Sequence, residues 1–226
     1  MTEIPLHKPI LDLNDRLASE IRAQLDEQGI FMLNLLASPG AGKTSTILAT
    51  IEALRDRYSI AVIEGDIASD VDAQKIKAQG VPAVQINTGG LCHLESRMVS
   101  QALEALELKE IDLVIIENVG NLVCPTDFYL GEDLTVVILS VPEGHDKPLK
   151  YPGVFQAARA IIVNKIDTMQ VFDFDERQFR TDVQRINPKA LVFPLSAKQG
   201  RGVKTWTQWL ASQIEAKKQE RLNECN

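Results

Sequence analysis

The sequence predicts a three-layer α/β fold, a mainly parallel sheet with helices on both faces. The apolar runs along the chain are mostly continuous rather than alternating, as in strands buried on both sides. Segments with helical spacing separate them, residues 94–106 and 175–186 among them. Between one apolar run and one helical pattern stands the glycine-rich stretch Ala37-Ser38-Pro39-Gly40-Ala41-Gly42-Lys43-Thr44-Ser45.

In chain order, residues 11–28 place Leu13, Leu17, Ile21 and Leu25 at spacings of four ahead of Gly29, which predicts an amphipathic helix closed by a glycine. Residues 31–37 read as the first strand, and Ile47, Leu48, Ile51 and Leu54 as the helix after the loop. Further strands are expected at 60–64, 83–86, 111–117, 135–141, 160–163 and 190–193, with a last helix at 203–222. Ligands then sit at the carboxyl ends of the strands. With 226 residues, 45% of them hydrophobic, and no internal repeat, residues 1–226 are expected to form a single domain with helices 11–28 and 203–222 as elaborations.

Lys and Arg number 24 against 31 Asp and Glu, a net charge of -7, and no basic stretch is dense enough to bind a phosphate polymer. Nucleic acid is therefore excluded as an expected partner. The first residues contain no apolar core of signal-peptide length and no run approaches membrane-spanning length, so a cytoplasmic protein with no membrane partner is expected. Cys92, Cys124 and Cys225 form an odd, scattered set, which fits metal binding or plain burial better than a disulfide framework.

The glycine-rich loop has the spacing of a triphosphate cradle. Gly40, Ala41 and Gly42 let backbone amides approach the phosphates, Lys43 reaches the β and γ phosphates, and the Thr44 hydroxyl is placed for Mg²⁺, with Ser45 completing the set. Ala37 stands where the usual pattern begins with glycine. Strand, loop and helix in this order are the signature of a P-loop NTPase. Downstream, Asn164-Lys165-Ile166-Asp167 follows one predicted strand and Ser196-Ala197-Lys198 follows another. This pairing selects guanine, because Asp167 can accept from N1–H and the 2-amino group while adenine offers no such donors. Asn164 would brace the loop, Lys165 would lay its stem along the ring, and Ala197 would offer its N–H to the guanine carbonyl. GTP, hydrolysed to GDP, is the expected ligand.

Hydrolysis needs a metal, a water and a sensor of the γ-phosphate. Glu117-Asn118-Val119-Gly120 closes a strand where Asp-x-x-Gly is usual, so Glu117 would hold Mg²⁺ through water and Gly120 would donate its amide to the phosphate. Asp66 is a second acidic candidate near Mg²⁺, and Asp70 and Asp72 read either as further acids or as a solvated helix start. The expected catalytic set is Lys43, Asp66, Glu117 and Gly120. Asn121 stands where Ras-like enzymes carry a water-orienting Gln, so slow intrinsic turnover is expected.

Cys92 and His93 lie in a glycine-rich lead into a helix, and Cys124 follows Gly120 closely. These three suit a nickel or zinc site that a symmetric dimer would complete, and they suit equally well two buried cysteines and an unrelated histidine.

Ser38-Pro-Gly-Ala-Gly-Lys-Thr44, Glu64-Gly-Asp66, Asn87-Thr-Gly89 with Cys92-His93-Leu94, Glu117 to Pro125 and Asp146-Lys-Pro-Leu-Lys-Tyr-Pro152 together resemble HypB, the nickel-incorporation GTPase family of [NiFe]-hydrogenase maturation. The resemblance runs from Leu11 to about Leu210. It implies a dimerising, SIMIBI-type G domain with nickel or zinc bound by Cys92, His93 and Cys124 at the homodimer interface. It implies a nickel-binding HypA-like partner and the hydrogenase large-subunit precursor as recipient, with Lys147 reaching toward the nucleotide or the other subunit. Many members carry an N-terminal cysteine cluster or histidine-rich tract; this sequence has neither, so nickel storage is not expected. Members of the family often read Thr-Gly-Lys before the Cys-His pair, whereas Gly90 and Leu91 precede Cys92 here, removing a charge beside the site. The related urease accessory GTPases, with a Cys-Pro-His pattern, and a non-catalytic, GDP-stabilised metal-binding scaffold are the competing readings.

Overall fold

The computed structural model describes residues 8–66 and 71–224; Asp70 and Cys225, both singled out above, lie outside the described residues. The helices are α1 (Lys8–Gln28), α2 (Lys43–Leu54), α3 (Val71–Lys77), α4 (Ser96–Ala105), α5 (Lys147–Lys150), α6 (Pro152–Ala157), α7 (Glu176–Ile186) and α8 (Val203–Glu224). The strands are β1 (Phe31–Ala37), β2 (Ile60–Asp66), β3 (Ala83–Asn87), β4 (Leu113–Glu117), β5 (Leu134–Ser140), β6 (Ala160–Asn164) and β7 (Leu191–Pro194). They form one sheet in the order β3-β2-β4-β1-β5-β6-β7, and every pairing in it is parallel.

Successive strand residues point to opposite faces, so a continuous apolar run feeds both cores at once. Leu33 and Leu35 of β1 pack with Ile47 and Ile51 of α2 and with Trp206, Leu210 and Ile214 of α8. Met32 faces the other way, toward Ile21 and Leu25 of α1 and Val99 and Leu103 of α4. Further along that face, Leu36 meets Phe155 of α6 and Phe179 of α7. Beneath β7, the Phe193 ring lies 5.6 Å from Trp206 and 5.1 Å from Trp209, and the two indoles are 5.6 Å apart. Trp206 Nε1 donates to Thr50 Oγ1 at 3.0 Å, tying α8 to α2.

Three local differences from the sequence expectation have physical causes. A spacing of four drifts by about 40° per step against the 3.6-residue turn. The inward face of α1 therefore runs through Asn14, Ala18, Ile21 and Leu25, leaving Leu13 59% exposed. Helix α4 starts at Ser96 rather than Leu94, because Asn14 Oδ1 accepts from Ser96 N at 2.8 Å and Glu95 is still extended. Strand β4 starts at Leu113: Asp112 turns aside, and its carboxylate accepts from Ser59 N and Lys218 Nζ at 2.8 and 2.6 Å.

Trp206→Ala empties the largest buried side chain between α2, α8 and β7. It is expected to cost about 3–5 kcal/mol of folding stability, read by urea denaturation with nucleotide absent.

Candidate functional site

The loops after β1, β2, β4 and β6 meet at the carboxyl edge of the sheet. Gly42 has φ +97°, and a Cβ there would stand 2.4 Å from Asn164 Nδ2, so only glycine lets the phosphate loop approach the β6 loop. No side chain caps the start of α2, which leaves its first amides directed at the loop's interior, the arrangement that binds phosphate. Gly120 is pressed against the same loop: a Cβ would lie 3.0–3.2 Å from Pro39 Cγ, N and Cα.

Pro39, Gly40, Lys43, Glu64, Asp66, Asp72, Glu117 and Gly120 are among the residues lining a cavity of about 290 Å³. Larger grooves exist, one of about 530 Å³ between α2 and α8, but no comparable set of acids converges there. Thr44 Oγ1 donates to Glu117 Oε1 at 3.1 Å, and Lys43 Nζ stands 3.9 Å from the same oxygen. Glu64 of β2 is the direct register partner of Glu117. Glu64, Asp72 and Glu117 bring carboxylate oxygens to within 4.8 Å of one another. Sequence reasoning read Glu64 only as a strand end within the resemblance and left Asp72 undecided. The missed signal is the register that sets one acidic strand end beside another. Asp66 lines the cavity but pairs with Asn87 on the β3 side, beyond the end of β4.

Burial raises the pKa of both glutamates, and Glu64 is raised further by its hydrogen bond to Glu117. Against burial, the hydrogen bond from Glu64, then Lys43 and Thr44, favour the charged form of Glu117. Glu64 Oε1 and Glu117 Oε2 are buried with no other donor. Orphaned hard oxygens beside the Thr44 hydroxyl suit a magnesium ion.

At the other end, Asn164 works with both halves of its amide. Nδ2 donates to Ala41 O at 3.1 Å, while Oδ1 accepts from Lys165 N at 2.8 Å and Ala197 N at 3.1 Å. The Ala197 amide, expected to face a guanine carbonyl, is thus engaged within the protein. Lys165 takes a left-handed φ of 60°, and its Nζ donates to Gly40 O at 2.7 Å, so its stem spans the cleft. The Ser196 hydroxyl, helped by Lys198 and Arg201, holds the Asp167 carboxyl below the usual carboxylate range. Asp167 Oδ1 is buried without a partner, an acceptor left for donors that the protein does not supply. Ser45 is exposed at the start of α2.

Cys92 and Cys124, both half-buried, come together from two loops. Cys92 Sγ is 3.7 Å from His93 Nδ1, and the Cys124 thiol, followed by burial, raises the pKa of Cys92. His93 stacks on Phe128 at 3.9 Å, and burial lowers its pKa, favouring the neutral imidazole that ligates metals. Its Nε2 is buried without a hydrogen bond, 3.7 Å from Glu95 Oε1. Cys92 touches both neighbours, yet the trio does not draw its donor atoms within 4.8 Å as the carboxylates do. Leu91 and Val123 beside the cysteines are 41% and 59% exposed. Asn121 Nδ2 donates to Cys92 O at 3.3 Å. Lys147 folds back within its own chain, 4.0 Å from Glu143 Oε1 and 5.0 Å from the Tyr151 ring centre.

Fold and site define a P-loop nucleotide-binding domain of the GTPase class. The chain belongs to the CobW/HypB/UreG family, whose nucleotide-binding domain matches residues 32–194, and within it to HypB. It is 47% identical to the hydrogenase maturation factor HypB of Azotobacter chroococcum over 220 residues, 97% of this chain and 72% of that protein. The hydrogenase/urease maturation factor HypB of Helicobacter pylori J99 is 40% identical, with 92% and 87% covered. The crystal structure of H. pylori HypB in complex with nickel superposes with a TM-score of 0.86 at 39% identity, over 90% of this chain and 95% of that one. No helix among the described residues is long and apolar enough to cross a membrane.

Because their pKa values are raised in the fold, Glu64 and Glu117 contribute stability that is complete below the ordinary carboxylate range and is lost as pH rises through the folded values. Glu64→Gln is expected to flatten that fall in metal-free melting temperature measured across a pH series; an unchanged slope would show that the pair does not titrate as described. Asp167→Asn is expected to reduce the preference for GTP over ATP by about 10- to 100-fold in competitive binding. An undiminished preference would remove Asp167 from base recognition.

Proposed function

We propose that this chain is one GTP-binding domain that hydrolyses GTP to regulate nickel insertion into the [NiFe]-hydrogenase large-subunit precursor. The observation that carries the reading is a shared strand exit: Glu117 and Gly120 face the phosphate loop, and Cys124, four residues on, meets Cys92. Lys43 and the α2 amides hold the β and γ phosphates, Gly120 donates to the γ-phosphate, and Asn164, Lys165, Asp167 and the Ser196-Ala197-Lys198 segment hold guanine. Thr44 and Glu117, with Glu64 and Asp72 beside them and Asp66 at the rim, hold Mg²⁺, which supplies charge neutralisation for phosphoryl transfer. Asn121, at the place of a Ras-like water-orienting Gln, instead bonds Cys92 O, which supports slow turnover in the cytoplasm.

Nickel is the cargo, taken by Cys92, His93 and Cys124, with zinc as an alternative occupant of the same soft donors. Three donors from one chain and the apolar rim of Leu91 and Val123 support a homodimer that closes the site. Loading and unloading involve a HypA-like partner and the large-subunit precursor, with Lys147 swinging across the dimer. Urease maturation is the second reading, favoured by the double name of the H. pylori relative.

Nickel titration with GDP and with a non-hydrolysable GTP analogue, alongside multiple-turnover phosphate release, tests this reading. Nickel affinity is expected to differ between the two nucleotide states, and Cys92→Ala is expected to abolish stoichiometric nickel binding with GDP affinity nearly unchanged. Equal affinities in the two states would refute the coupling. Absent turnover would favour a GDP-stabilised scaffold.

A further inference from the structure

Cys92 and His93 lie in the loop ahead of α4, whereas Gly120 lies in the loop after β4. Covalent connection from Gly120 reaches Cys124 within four residues but not Cys92, so a signal to Cys92 must cross between loops. Two asparagines on either side of Gly120 make that crossing. Asn118, fully buried, accepts through Oδ1 from Leu94 N at 3.3 Å and from Val119 N at 2.9 Å. Its Nδ2 donates to Asn34 Oδ1 at 3.3 Å, and Asn34 Nδ2 donates to Glu132 Oε1 at 3.1 Å, so Asn118 is anchored in the sheet. Asn121 donates through Nδ2 to Cys92 O at 3.3 Å and accepts through Oδ1 from Val123 N at 2.8 Å. The loop residues on both sides of His93 are thereby gripped at their main-chain atoms by asparagine side chains, and Asn121 also hydrogen-bonds the Cys92 side chain, favouring its thiolate.

We propose that Asn118 and Asn121 are positioning residues that carry a displacement of Gly120 to the Cys92-His93-Leu94 loop and so set the difference in nickel affinity between nucleotide states. This rests on the coupled-site reading above. Gly120 is closely packed against the phosphate loop, where a Cβ would stand only 3.0–3.2 Å from Pro39. Leu94 is closely packed against β2, where a Cβ on Gly65 would stand 2.8 Å from its side chain. A shift at the γ-phosphate side of Gly120 is therefore passed through packed, hydrogen-bonded groups to the metal loop.

Nickel titrations of wild type, Asn121→Ala and Asn121→Asp, each with GDP or a non-hydrolysable GTP analogue and Mg²⁺, test Asn121. The Asp variant keeps the acceptor for Val123 N but replaces the donor to Cys92 with a charged oxygen, which shifts nickel affinity in both nucleotide states, so the ratio between states is the readout. The wild-type ratio of affinities is expected within the range of about 5–150-fold found for coupled sites. Both variants should cut it by at least about threefold, the worth of a net hydrogen bond, with melting temperature and GDP affinity close to wild type. Asn118 is tested without mutation by hydrogen exchange at the Leu94 amide, which is expected to change at least about threefold between the nucleotide states. Unchanged ratios in both Asn121 variants, or unchanged Leu94 exchange in wild type, would overturn the assignment of that asparagine. A wild-type ratio of one would refute the coupled-site reading itself, and this assignment with it.

Discussion

The nucleotide end of the molecule depends on one side-chain amide. Asn164 binds the phosphate loop through Ala41, its own loop through Lys165 and the β7 loop through Ala197. Three segments far apart in sequence are thus fixed by a residue that is itself 2% exposed. The left-handed Gly42 and the crossing Lys165 follow from this bracket, because both exist to let the phosphate loop lie within reach of β6. A ligand entering the cleft meets walls already set at their spacing, so less of its binding free energy is spent on ordering loops.

A second constraint acts at the opposite end. Parallel register sets Glu64 beside Glu117, and burial with a like charge at hand keeps a proton between them. The phosphate-loop Thr44 and Lys43 reach the same carboxylate. On the proposed reading, metal, proton and phosphate would all address one small group of atoms. The adjoining soft-ligand site is looser: Cys92 touches His93 and Cys124, but the three do not close into a tight cluster within one chain. Tight acids and loose thiols are what the proposed function asks of a resident hard cation and a cargo that must leave.

Much of this was legible in the sequence, for reasons that vary by element. Strand β1, the phosphate loop and the start of β6 were clear because buried parallel strands need unbroken apolar runs and their exits need special residues. The inward face of α1 was misjudged at Leu13, since a leucine spacing of four looks helical while its stripe rotates away from the core. Glu64 and Asp72 were hard to assign because their role comes from strand register and from a helix start packed across the sheet edge, neither of which is a local signal. The Asn121 contact to Cys92 was hidden for the same reason, because a bond between two loops leaves no local signal.

The aromatic cluster under β7 gives the molecule an optical polarity. The chain has two tryptophans, and Trp206, edge-on, and Trp209, tilted, both pack against Phe193 in the strand that leads to Ser196 and Ala197. Indole emission would therefore report on the end where the guanine site is proposed, while Phe128 and Tyr129, weakly emitting rings, lie at the cysteine end. A spectroscopist following ligand arrival has a built-in lamp at one end of the cleft and a dark field at the other.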